Sequence, residues 1–158
     1  MKNLLKILFT FLIINIFVVF SAKAQTSPAS LATLEKPVPW TNEQLIEPAD
    51  LVALINMTNA SSPVIFNIGA VEDIKGAIHI GPVSNAANME KLKQKVASLP
   101  LSKPVIIYCG CCPFTKCPNI SPAFLELKKM GFTQIKVLNL PVNLKTNWIA
   151  KDYPLASK

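Results

Sequence analysis

A short apolar run that ends in cysteine fixes most of what this chain can become. Val105-Ile106-Ile107-Tyr108 is β-branched and apolar, the pattern of a buried strand. Cys109 follows at once. All four cysteines, Cys109, Cys111, Cys112 and Cys117, fall in one stretch with the spacing C-x-C-C-x4-C. Ser121-Pro122 then signals a helix start, because serine caps and proline suits the first helical position; Asn119 is a second candidate cap. That helix is expected over Pro122 to Met130, ending at Gly131. The cysteines are therefore expected on a loop between a buried strand and a helix N-terminus, where open α/β sheets build their sites. Free N–H groups and a partial positive charge at that terminus would lower the pKa of a nearby thiol.

The start of the chain has a different character. Lys2 and Lys6 precede the apolar run Ile7 to Phe20, and Ala22-Lys23-Ala24 forms an A-x-A site before Gln25. This is the pattern of a secretory signal peptide over residues 1–24, and it places the protein outside the cytoplasm, periplasmic or secreted. The apolar run is short for a retained membrane span. Membrane contact is expected only through this segment, before cleavage. Residues 25–40, rich in Ser, Ala, Thr and Pro, read as a linker, with Trp40 as an apolar plug at the domain edge. Residues 41–158 read as a single domain.

Removing the signal takes away three of the sixteen basic residues and no acidic one, which leaves thirteen against nine and a net charge of +4. The lysines are scattered, and the densest group, Lys91, Lys93 and Lys95, suits a solvated helix face better than a nucleic-acid surface. No nucleic-acid partner is expected. Every basic residue is lysine, so a bidentate arginine clamp is excluded.

Between these segments, strands and helices alternate. A strand is expected at Gln44 to Ile46. A helix follows over Ala49 to Met57 behind Pro48, with Leu51, Leu54 and Ile55 inward, then a turn at Thr58 to Ser62. Val64 to Ile68 reads as a central strand in which Asn67 is the odd residue. A loop, Gly69 to Lys75, leads to a short strand within Gly76 to Pro82. His79, the only histidine, reads as a hydrogen-bonded structural or surface residue rather than a base or ligand. A helix is expected over Asn88 to Leu99, stopped by Pro100, with Met89, Leu92 and Val96 on one face. A strand at Ile135 to Leu138 and a last helical turn carrying Trp148 complete the chain. This order predicts an α/β fold: an open, mainly parallel sheet of about five strands with helices on both faces.

The order and its landmarks resemble the rhodanese-like sulfurtransferase domain over roughly Thr41 to Leu155. Val64 to Ile68 is similar to the strand that ends in Asp-x-Arg in that family. Gly76-Ala77-Ile78-His79-Ile80 is similar to its G-A-I-N-I segment. Ile106-Ile107-Tyr108-Cys109 resembles the active-site strand and its nucleophile. Gly131-Phe132, Ile135 to Leu140, Trp148 and Tyr153-Pro154 resemble its closing motifs. The resemblance implies that Cys109 takes a sulfane sulfur from a small donor, such as thiosulfate or a persulfide. Cys109 would hold it as a persulfide and pass it to a thiol or another nucleophile. No cofactor is implied, and a monomer is expected. This chain departs from the family in several places. Asn67-Ile68-Gly69 replaces the Asp-x-Arg, and Glu72-Asp73-Ile74-Lys75 replaces a G-H-I-P. The active-site loop is longer, with three further cysteines and no arginine. Lys116 is the candidate replacement for the lost positive charge. Gly110, Cys111 and Cys112 are candidate backbone donors, and Cys111, Cys112 or Cys117 are candidates to receive the sulfur or release it by forming a disulfide.

Two other readings use the same residues. A thiol–disulfide redox protein would work through a cysteine pair, for which Cys112 and Cys117 stand with four residues between them. A binding module would hold Cu(I) or Zn(II) on three or four of Cys109, Cys111, Cys112 and Cys117; the neighbours Cys111 and Cys112 do not easily both point at one ion, and soft Cu(I) tolerates two or three ligands. A structural disulfide framework is disfavoured, because cysteines this close together staple nothing distant and a bridge between the neighbours Cys111 and Cys112 is strained. Sulfur transfer by Cys109 carries one requirement: the sulfur must be reachable, since a buried thiol is inert.

Overall fold

A computed structural model of the chain describes residues 37–57 and 62–157. The expected signal segment lies outside the described residues, as do most of the linker and most of the turn after the first helix. The β-branched runs form five strands: β1 (Leu45–Ile46), β2 (Val64–Asn67), β3 (Ala77–His79), β4 (Val105–Tyr108) and β5 (Ile135–Leu138). They make one sheet in the order β1-β5-β4-β2-β3, and every pairing is parallel. Four helices accompany them among the described residues: α1 (Pro48–Asn56), α2 (Ala86–Val96), α3 (Ile120–Lys129) and the single turn α4 (Leu144–Asn147). No described helix is long and apolar enough to cross a membrane.

Alternation along the strands splits the apolar residues between two layers. Phe66, Val105, Ile107 and Val137 face α2 and α3, where they meet Leu92, Val96, Phe124 and Leu127. Ile65, Ile106, Tyr108 and Leu138 face the other way, toward Leu51 of α1, Leu144 of α4 and Trp148. Helices thus cover both faces, as the sequence implies. Trp40 is buried in the first layer, 5.8 Å from the ring of Phe124 and 6.0 Å from that of Phe114. Val38 packs against the same layer, so the folded unit takes in the end of the stretch read as linker.

Several element boundaries differ from expectation. Gln44 lies in a 3-10 turn, Asn42–Gln44, and β1 begins after it. Helix α2 starts at Ala86 and ends at Val96, where Asn88 to Leu99 was expected. The Asn85 side chain accepts from the Ala87 N–H and so starts the helix earlier. Helix α3 begins at Ile120, so Ser121 is not its cap and Pro122 falls inside the first turn, where a missing N–H costs nothing. Its far end closes as expected. Gly131 takes φ +95, its N–H donates to the Lys128 carbonyl, and the Phe132 N–H donates to that of Leu127.

The end of the chain folds back over the loop after β2. Leu155 bridges Ile74, and the Ala156 N–H donates to the Asp73 carbonyl at 2.8 Å. Trp148 donates its indole N–H to the Pro154 carbonyl and lies edge-on to Tyr153.

Phe124 fills the centre of the first layer and is fully buried. Phe124→Ala is expected to cost about 3–5 kcal/mol in urea unfolding, whereas a change at the exposed Leu125 on the same helix is expected to stay within about 0.5 kcal/mol.

Candidate functional site

The topology marks one place at the carboxyl edge of the sheet. From β2 the chain leaves toward β3; from β4 it leaves the opposite way, toward β5. The two loops diverge where β2 and β4 lie side by side, the switch point at which open α/β sheets hold their ligands. Cys109 stands there. The Ile68 N–H donates to the Tyr108 carbonyl at 2.9 Å, which extends the ladder, and Cys109 turns its side chain into the α2–α3 layer.

The cysteine loop is held at fixed points. Gly110 takes φ +76 and reverses the chain, and its carbonyl accepts from the Leu144 N–H at 2.8 Å. A β-carbon there would meet Leu144 at 2.8 Å and Val71 at 3.0 Å. The Phe114 N–H donates to the Leu140 carbonyl, and its ring leans on Trp40. A 3-10 turn, Phe114–Lys116, delivers the chain to Cys117 and then to α3.

This path brings three sulfurs together. Those of Cys109, Cys111 and Cys117 all lie within 4.8 Å of one another. Cys109 and Cys111 are 3.2 Å apart, and Cys111 is 3.4 Å from Cys112, which stands outside the group of three. All four cysteines are free thiols. Cys109 is 1% exposed and Cys117 is buried, while Cys111 faces solvent.

Donors converge on Cys109. The Cys117 thiol contributes most, followed by the Asn119 side-chain amide at 3.3 Å and then the thiol and N–H of Cys111. They outweigh the effect of burial and pull the Cys109 pKa down to about 5. The other two thiols move the opposite way. Burial, and then donation to Cys109 and Cys112, pushes Cys111 up to about 12. Donation to Cys109, and then burial, pushes Cys117 above the ordinary thiol range. These contacts favour the thiolate form at Cys109 over the other two sulfurs.

The start of α3 acts differently from the expectation. Its N–H groups at Asn119 and Ile120 point at the sulfur of Cys117, not at that of Cys109. Cys117 in turn donates to Cys109. Asn119 occupies the cap position without capping: its oxygen accepts from the Ser84 N–H at 2.8 Å, which aims its amide at Cys109.

Of the stretch expected to give backbone donors, Cys111 supplies one to Cys109, while Gly110 serves to turn and anchor the chain. Lys116 is exposed, and its ammonium makes no hydrogen bond or ion pair with a described residue. Cys112 is half-buried against the α2–α3 layer. His79 lies away from the sulfurs, half exposed, with Nδ1 2.9 Å from Asp73 and 3.3 Å from Asn67.

Two residues of the site escape a reading of the sequence. Gly69 backs directly onto Cys109; a β-carbon there would fall on the Cys109 carbonyl oxygen and 2.9 Å from its sulfur. Asn67 is fully buried and shapes the loop that makes this approach. Its oxygen accepts from the Gly69 N–H at 3.0 Å, and its amide donates to the Val71 carbonyl and the Asp73 carboxylate, each at 2.8 Å. An asparagine inside an apolar strand was the one available signal.

Comparisons with models of protein families, with curated proteins and with solved structures find no match to this chain.

The thiolate absorbance difference between the wild type and Cys109→Ser is expected to appear as pH rises through about 5. In Asn119→Ala the same step is expected at higher pH, because a donor to the thiolate is lost. Gly69→Ala is expected to cost about 1–3 kcal/mol in urea unfolding, since the colliding atom is backbone and must shift.

Proposed function

We propose that the protein is a sulfurtransferase of the rhodanese type, with Cys109 as its nucleophile. The observation that carries this reading is the convergence of donors on the Cys109 sulfur at the sheet's switch point. A sulfur placed this way is a nucleophile in its resting form. It attacks the outer sulfur of thiosulfate, forms an S–S bond and expels sulfite. With a small persulfide as donor, the leaving group is the donor's thiolate. The Cys109 persulfide keeps a terminal negative charge, and the Asn119 amide and the Cys111 N–H remain beside it, as donors surround a developing anion in an oxyanion hole. An incoming thiolate then takes the outer sulfur and returns Cys109 to its starting state.

Cys109 at rest does not meet the requirement of open access. The exposed residue Cys111 has its sulfur 3.2 Å away. Sulfur transfer at Cys109 therefore requires the side chains around it to move, and rotamer changes at exposed positions such as Cys111 take ps–ns. The same 3.2 Å separation favours a second reading, a dithiol that closes to a Cys109–Cys111 disulfide and works in thiol–disulfide exchange.

Intact mass of the reduced protein after incubation with thiosulfate separates the two. Sulfur transfer is expected to add one sulfur atom, which cyanide removes. The gain is expected to be absent in Cys109→Ser and retained in Cys111→Ala. No gain, together with loss of two hydrogens on mild oxidation, would overturn sulfur transfer in favour of the redox reading.

A further inference from the structure

The triangle of sulfurs at the sheet edge also has the makings of a coordination site. We propose that Cys109, Cys111 and Cys117 bind one Cu(I) ion in three-coordinate geometry, at a site that shares Cys109 with sulfur transfer but rests on the sulfur geometry alone. Around a three-coordinate ion with metal–sulfur bonds of about 2.3 Å, the sulfurs sit about 4 Å apart. The three here span separations from 3.2 Å up to no more than 4.8 Å, so small side-chain rotations suffice.

The donor set selects the ion. Thiolates are soft ligands and favour Cu(I) or Zn(II) over hard cations. Structural Zn(II) takes four protein ligands, and open zinc sites with three protein ligands and a water include at least one histidine; the described residues place neither a fourth ligand nor a histidine with the three sulfurs. Cys112 lies beyond the triangle, His79 is engaged with Asp73 and Asn67, and no Asp or Glu joins the group. Cu(I) is satisfied by three sulfurs. Of the three or four thiolates expected from the spacing, the geometry gathers three.

The surroundings suit the charge of such a centre. Three thiolates and one monovalent ion carry two negative charges. The N–H groups that open α3 at Asn119 and Ile120 already point at the Cys117 sulfur, and the Asn119 amide reaches the Cys109 sulfur at 3.3 Å. Donors of this kind beyond the ligands hold them in place and offset their charge. Two ligands are buried and the third, Cys111, is exposed, which gives the ion a way in. Binding changes no oxidation state: the ion replaces the remaining thiol protons, which pass to solvent.

The test is anaerobic titration of the reduced protein against Cu(I) held by bicinchoninate. One ion per chain is expected to leave the chelator, and X-ray absorption of the loaded wild type is expected to report three sulfur neighbours. Cys117→Ser is expected to weaken uptake by about a hundredfold or more, since loss of a residue behind the ligands alone costs 10–100-fold. Cys112→Ser is expected to leave it unchanged. No uptake, a sulfur count of two or four, or equal weakening in Cys112→Ser would overturn the proposal. The sulfur count is read on the wild-type chain, so a variant that fails to fold leaves the test intact.

Discussion

The register between β2 and β4 is the constraint on which the rest of the structure depends. Asn67 lies opposite Tyr108 in that ladder. The residues just beyond are then forced together, Gly69 against Cys109. The same register puts the Tyr108 hydroxyl under the loop after β2, where the Ile74 N–H donates to it and it donates to the Glu72 carbonyl. In a strand, a slip of one residue sends every side chain to the other face. Here it would take Cys109 out of the α2–α3 layer and away from Asn119 and Cys117. The apolar residues of both layers oppose that slip, so the core fixes the position of the chemistry.

The fold was largely legible in the sequence because it rests on local patterns. β-Branched runs gave β2, β4 and β5 to within a residue, and alternation of strands and helices gave a parallel sheet covered on both sides. The helix starts were harder. Ser121-Pro122 looks like a cap and a first residue, yet α3 begins before both; Asn119 holds the cap position, and its side chain goes to Ser84 and Cys109 instead of to its own helix. In the site, the clustering of cysteines was visible from spacing alone. Which three of the four meet was not, because it depends on how Gly110 and the turn at Phe114–Lys116 fold the loop. The parts played by Gly69 and Asn67 depend on contacts across the sheet, and no local pattern encodes them.

A thiolate in a buried place needs compensation, and this chain supplies it without arginine. Neutral donors do the work: two thiols, one carboxamide and a backbone N–H around Cys109, with the dipole of α3 reaching it by way of Cys117. Such donors are short and fixed, so they lose little on meeting a charge. They also bind the readings together, since a persulfide, a disulfide and a coordinated ion all draw on the same few sulfurs. One scaffold can host any of these chemistries; which one operates is set by what arrives at the sheet edge.

The cysteine loop hangs between two pegs that belong to other parts of the chain, the Leu144 N–H at one end and the Leu140 carbonyl at the other. Between them, and on to the start of α3, little of the loop bears on strand pairing. Strand pairing therefore asks little of the residues between the pegs, while Phe114 and Cys117 tie the loop to the α2–α3 layer by packing instead. A substitution there would alter the reactivity of the sulfurs while leaving the ladder of the sheet as it is.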